Sequence, residues 1–109
     1  MTQERFQRVF NHRIADCART LVEKSEEYSR NGDRLHVFKR AAGAKGESPE
    51  AALVGIWMKQ VIALVDLAQD IDTSGCAPYP VWEEKIRDVV NYTILLDALV
   101  TERLEREGR

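Results

Sequence analysis

The sequence predicts an all-α protein, and three observations carry that prediction. Apolar residues recur at helical spacing over three long segments; helix-starting and helix-stopping residues bracket those segments; the composition, 44% hydrophobic and 31% charged, is that of a globular chain. The 109 residues make one domain, residues 1–109. At this size a compact monomer exposes roughly 6,200 Å², against roughly 18,000 Å² for the unfolded chain. That leaves a core of modest size.

The first predicted helix covers residues 3–28, entered at Thr2 or Gln3. Phe6, Phe10, Ile14, Cys17, Leu21 and Tyr28 form one stripe, and Asn31-Gly32 stops the helix. A connection over 29–48 holds three glycines, with a short amphipathic turn at 34–42 that faces Leu35 and Phe38 inward. The second helix starts at Ser48-Pro49-Glu50, where Ser caps, Pro suits the first position and Glu favours the positive dipole end. It runs to about residue 71. Leu53, Val54, Ile56, Trp57, Val61, Ile62, Leu64, Val65 and Leu67 lie nearly all round it, the pattern of a central buried helix. After a loop closed by Pro78 and Pro80, the third helix covers 81–105 with two apolar stripes. One holds Trp82, Ile86, Val89, Leu96, Val100 and Leu104; the other holds Tyr92, Leu95 and Leu99. Three helices with apolar residues on several faces predict a four-helix-type bundle completed by dimerisation.

The N-terminal stretch is charged and carries no apolar leader. No segment is expected to span a membrane, since Lys59, Gln60 and Asp66 interrupt the longest apolar run. Cys17 and Cys76 read as reduced thiols, so the expected setting is the cytoplasm. A net charge of −2 and a pI near 5.7 argue against nucleic acid as a partner.

Several polar residues stand where core residues belong. Glu84, Asp88 and Asn91 form one ridge continuous with the Tyr92–Leu95–Leu99 face. Carboxylates stacked one turn apart repel unless a cation sits between them, and Mg²⁺ favours such oxygen donors. The plainer reading is a solvated first helical turn, which suits Glu84 better than Asp88. Glu23, Glu26 and Glu27 crowd the C-terminal end of the first helix, where the dipole opposes them. If these helices cross, the two acidic clusters converge on one or two cations. Between them lies a basic loop with Arg30, Arg34, His36, Lys39, Arg40 and Lys45. A basic loop beside an acidic metal site suits a nucleoside triphosphate, with Lys59 a further candidate for its phosphates or for an acid such as Glu27 or Asp88.

With these residues in view, the chain resembles the MazG-like all-α nucleoside triphosphate pyrophosphatases, most closely a small phage and prophage branch of unknown function. The likeness covers roughly residues 15–100. It rests on Glu23 and Glu26 as an ExxE pair, on Glu27-Tyr28, on Gly32-Asp33 followed by Phe38, and on Asp88-x-x-Asn91-Tyr92. The resemblance implies Mg²⁺-dependent hydrolysis of a nucleoside or deoxynucleoside triphosphate to monophosphate and pyrophosphate, in a homodimer or tetramer. It implies metal ligands at Glu23, Glu26 and Asp88. Glu84 substitutes for the family's second glutamate, because Lys85 stands at that position. Glu27 and Lys59 are the candidate catalytic residues; Arg34, Lys39, Arg40, Asn91 and Tyr92 are the candidate substrate contacts. The rival expectation is a non-catalytic helical interaction or nucleotide-binding protein of phage origin, which needs no metal.

Overall fold

A computed structural model describes residues 1–109, with the side chain of Glu26 outside the described set. The chain is all-helical: α1 Gln3–Glu23, α2 Ser25–Tyr28, α3 His36–Lys45, α4 Pro49–Ser74 and α5 Tyr79–Arg106.

The helix ends follow the residues that cap them. Thr2 Oγ1 accepts the Arg5 N–H at 3.2 Å, and Ser48 Oγ accepts the Ala51 N–H at 3.1 Å. The predicted first helix is broken at Lys24 into α1 and α2. Arg34 supplies the reason: its Nη2 donates to the Leu21 carbonyl at 2.9 Å, the acceptor that residue 25 would use in an unbroken helix. The Asn31-Gly32 stop is a tight turn. Both residues have positive φ, 53° and 78°, while Arg30 and Asp33 exchange backbone hydrogen bonds of 3.0 and 2.9 Å. The turn expected at 34–42 extends to a helix of 10 residues, α3. It ends at left-handed Gly46, with Glu47 N–H donating back to Ala42 O at 3.0 Å. Helix α4 reaches three residues beyond its expected end, and α5 begins two residues before its expected start.

Helix α5 is the spine. Glu50–Arg103 and Trp57–Thr93 pairs set α4 antiparallel to it, while His12–Glu83 and Asp16–Arg87 pairs set α1 parallel to it on another side. Among the described residues, the backbones of α1 and α4 make no close approach. The core gathers Leu35, Phe38, Leu53, Leu95 and Leu99, with Leu21, Tyr28, Ile56, Tyr92 and Leu96 packed against it. The inward roles of Leu35, Phe38 and the Tyr92–Leu95–Leu99 stripe are therefore as the periodicity indicates.

Helix α4 departs from its expectation. Only Ala52 and Leu53 are buried on it, and Val54, Met58, Ile62, Val65 and Ile71 are exposed. The reason is positional: α3 and α5 cover part of α4, and no fourth helix covers the rest. By length and composition α4 is apolar enough to cross a membrane, contrary to the sequence expectation. The Phe6, Phe10 and Ile14 part of the α1 stripe is also exposed. The accessible surface of 7566 Å² exceeds the ~6,200 Å² of a compact chain by about 1,400 Å². The radius of gyration, 16.5 Å, likewise exceeds the ~13 Å of a compact domain this long.

Candidate functional site

Two carboxylates lie along the α1–α5 seam, and their surroundings differ. Asp16 is fully buried on α1. It accepts hydrogen bonds from Arg13 at 2.9 Å, from Arg87 at 3.2 Å and from Arg19. Burial alone raises its pKa, but Arg87, Arg13 and Arg19 outweigh that and hold it below the ordinary carboxylate value. Arg13 continues the network to Tyr79 and Glu83. Every oxygen of Asp16 is thus answered, and the cluster ties α1 to α5. The sequence pattern sets Asp16 and Thr20 on the same flank of the helix as Glu23 and Glu27, without showing what Asp16 pairs with. Its local signal was Arg13 and Arg19, one turn to either side; the third partner, Arg87, is distant in the chain.

Asp88 lies about one turn further along the same seam. It shares a small polar pocket with Thr20, Lys24, Tyr28, Asn91 and Tyr92, floored by Leu21 and Leu95. Burial raises its pKa above the ordinary value, Lys24 and Arg87 oppose that, and Glu84 reinforces it. Asn91 is buried, and its Oδ1 has no hydrogen-bond partner among the described residues. Burial, with Tyr28 and Asp88 beside it, pushes the Tyr92 hydroxyl up to about 12, and burial raises Tyr28 as well. Both hydroxyls are therefore neutral donors at pH 7. The cavity measures about 10 Å³, room for about one water or one small cation.

The fold brings together only part of the predicted set. Asp88, Asn91 and Tyr92 meet Tyr28 in this pocket, with Glu27 close enough to influence Tyr28. Glu84 is exposed on α5 and acts on Asp88 only electrostatically. Glu23 is exposed, with Arg19 its ion-pair partner at 4.0 Å. Glu26 lies outside the described side chains. Arg34 is beside the site, its guanidinium 5.4 Å from the Tyr28 ring centroid. Lys39 is held by Asp33 at 2.8 Å and Glu102 at 2.6 Å. Glu102 lies about 21 Å along α5 from Asp88 at the usual helical rise. Lys39 and its neighbour Arg40 therefore belong to the other end of the molecule. Lys59 is exposed on α4 and makes no ion pair with a described residue. Sequence reasoning did not select Lys24 and Thr20 for this site; they line the pocket because α1 continues past Asp16 along α5.

Among the described residues, no three His, Cys, Asp or Glu side chains come together to hold a metal ion. Asp88 and Asn91 are oxygen donors of the kind that Mg²⁺ takes. That ion usually keeps several waters and takes one or two carboxylates, with substrate phosphates completing its shell. Asp88 supplies one carboxylate and Asn91 a buried amide oxygen without a partner among the described residues, beside a cavity with room for about one water. No family model, no curated protein and no solved structure matches this chain.

Proposed function

We propose that the Asp88 pocket is the centre of a Mg²⁺-dependent nucleoside triphosphate pyrophosphohydrolase, releasing monophosphate and pyrophosphate. One observation carries this reading. Tyr28 and the Asp88–Asn91–Tyr92 group, far apart in sequence, meet around a small cavity, and the buried Asn91 amide oxygen beside it lacks a partner among the described residues. In this reading Asp88 and Asn91 hold the cation and Glu84 supports it from the rim. Mg²⁺ would supply charge neutralisation at the phosphates and acidify an attacking water. The chain's own groups do the rest. Lys24 neutralises phosphate oxygens at the mouth of the pocket. Tyr28 and Tyr92, neutral at working pH, donate hydrogen bonds to the ligand. Glu27 accepts a proton from the attacking water. The triphosphate stays outside the cavity, which is too small to admit it.

We infer further that the protein works as a homodimer or higher oligomer in the cytoplasm. The surface excess of about 1,400 Å² over a compact chain is large enough for a partner's footprint, since a standard interface covers about 800 Å² per side. A second copy covers α4 better than lipid does. Lys59 and Asp66 on that helix each cost about 2.5–3.5 kcal/mol at the centre of a bilayer.

Pyrophosphate release from a panel of NTPs and dNTPs with Mg²⁺ tests the enzymatic reading. Selective release that Asp88→Ala abolishes is the expected result. No release from a folded, Mg²⁺-supplied protein favours the second reading, a non-catalytic helical interaction protein. The exposed α4 face is the observation that supports that alternative.

A further inference from the structure

The uncovered face of α4 has a pattern of its own. Val54, Met58, Ile62 and Val65 are exposed on it, at steps of four, four and three residues. Those steps keep all four on one side of the helix, while Leu53 and Ile56, which pack into the core, lie on the opposite side. Gly55 borders the stripe, and a Cβ there would meet nothing in the chain. Glycine weakens the middle of a helix, and the packing of a single copy gives no reason for it; a second helix lying close against this face does. Lys59 and Asp66 flank the stripe on the same side, about two turns apart. Both are exposed, and neither makes an ion pair with a described residue.

These charges decide how two such faces would meet. In a parallel pair each charge faces its own kind, Lys59 against Lys59 and Asp66 against Asp66. A two-fold axis near Ile62 instead runs the helices antiparallel and keeps their charged flanks on the same side of the seam. Lys59 of each copy then comes beside Asp66 of the partner subunit, and the like charges separate. A face whose charges match their own two-fold image suits a copy of itself better than an unrelated partner.

We propose that α4 pairs antiparallel with α4 of a second copy, burying Val54, Met58, Ile62 and Val65 between the helices and joining Lys59 to Asp66 of the partner subunit on each side of the axis. This rests on the oligomer inferred above and specifies its interface. The area suffices: the accessible surface of 7566 Å² leaves about 1,400 Å² over the ~6,200 Å² of a compact chain, against about 800 Å² per side in a standard interface.

Sedimentation velocity of the full chain over a concentration series tests the arrangement through a charge swap. Lys59→Asp should raise the dimer dissociation constant by about tenfold, because two attractive pairs become repulsive, and Asp66→Lys should do the same. The double variant Lys59→Asp/Asp66→Lys should restore wild-type association. Ile62→Glu sets a charge at the centre of the seam and should leave a monomer, with its helical circular dichroism retained because Ile62 is exposed in the single copy. Single swaps that associate as tightly as wild type, or an Ile62→Glu variant that stays dimeric, overturn this interface and leave the oligomer itself standing. A wild-type chain that is monomeric at every concentration overturns both, and its co-sedimentation with phosphatidylcholine vesicles would give the α4 face to lipid. Association is read without nucleotide, so failure here stays distinct from failure of the hydrolytic reading.

Discussion

Asp16 and Asp88 sit on the same helix–helix seam, joined through Arg87 and Asp88 as chain neighbours, yet they carry opposite perturbations. Asp16 is the more deeply buried and is the one whose charge is favoured, because three guanidiniums answer it. Asp88 is half-buried with no ion pair to a described residue, and it neighbours an amide oxygen that also lacks a partner. Under the proposed function, burial depth does not mark the ligand-binding carboxylate on this seam. Unanswered hydrogen-bonding capacity does, because a structural charge is neutralised within the fold and a ligand-binding charge waits for its partner.

The largest expected effect falls on the answered side. Asp16→Asn leaves Arg13, Arg19 and Arg87 packed together without their carboxylate. It should destabilise the fold by about 3–5 kcal/mol, the usual cost of removing one partner from a buried ion pair. Urea denaturation at pH 7 measures it. The pH dependence follows from the depressed pKa of Asp16. Its stabilisation is present above the ordinary carboxylate value of 3.8 and is lost as pH falls through the lower folded value. The gap between wild type and Asp16→Asn should therefore close in strong acid.

Asp88→Asn should move stability the other way. The folded pKa of Asp88 is raised, so its favourable contribution is complete below 3.8 and disappears as pH rises through the folded value. At pH 7 the ionised group is a small burden, and its amide replacement should be neutral or stabilising, by no more than about 0.5 kcal/mol. The same substitution should abolish pyrophosphate release. A protein as stable as wild type but inactive would separate a ligand-binding carboxylate from a structural one; a protein destabilised as much as Asp16→Asn would erase the distinction.

The tyrosines sharpen the contrast further. An ultraviolet pH titration should show Tyr92 ionising near 12, and the Asp88→Asn variant should bring that value down by removing a neighbouring negative charge. The smallest effect belongs to Glu23→Gln. Glu23 is exposed, so its stability should change by less than about 0.5 kcal/mol. If Mg²⁺-dependent activity survives that change unaltered, Glu23 has no part in holding the ion.

Much of the fold was legible because its signals are local. Ser48-Pro49-Glu50 and Asn31-Gly32 mark helix ends through their own backbone and side-chain chemistry. Leu35 and Phe38 read as core from spacing alone. What was illegible depends on residues far apart in sequence. The break at Lys24 is made by Arg34, and Asp16 is buried only because Arg87 reaches it across the seam. The exposed face of α4 was hidden for a related reason: periodicity shows that a helix has apolar faces but not that a neighbour covers each one. For the site, Asp88, Asn91 and Tyr92 could be singled out as polar residues continuing an apolar stripe. The spacing of Glu23 and Glu27 left their directions open, because charge crowding at a helix terminus does not determine which way a side chain turns.

The most direct test follows both aspartates together. Carboxyl-carbon NMR titration of the labelled full chain, with and without Mg²⁺ and a non-hydrolysable triphosphate, should find Asp16 titrating below 3.8 and Asp88 above it. Adding Mg²⁺ and nucleotide should shift the Asp88 signal and leave Asp16 in place. An Asp88 that titrates at or below 3.8 and ignores the added ligands would contradict the assignment of this pocket as the functional site.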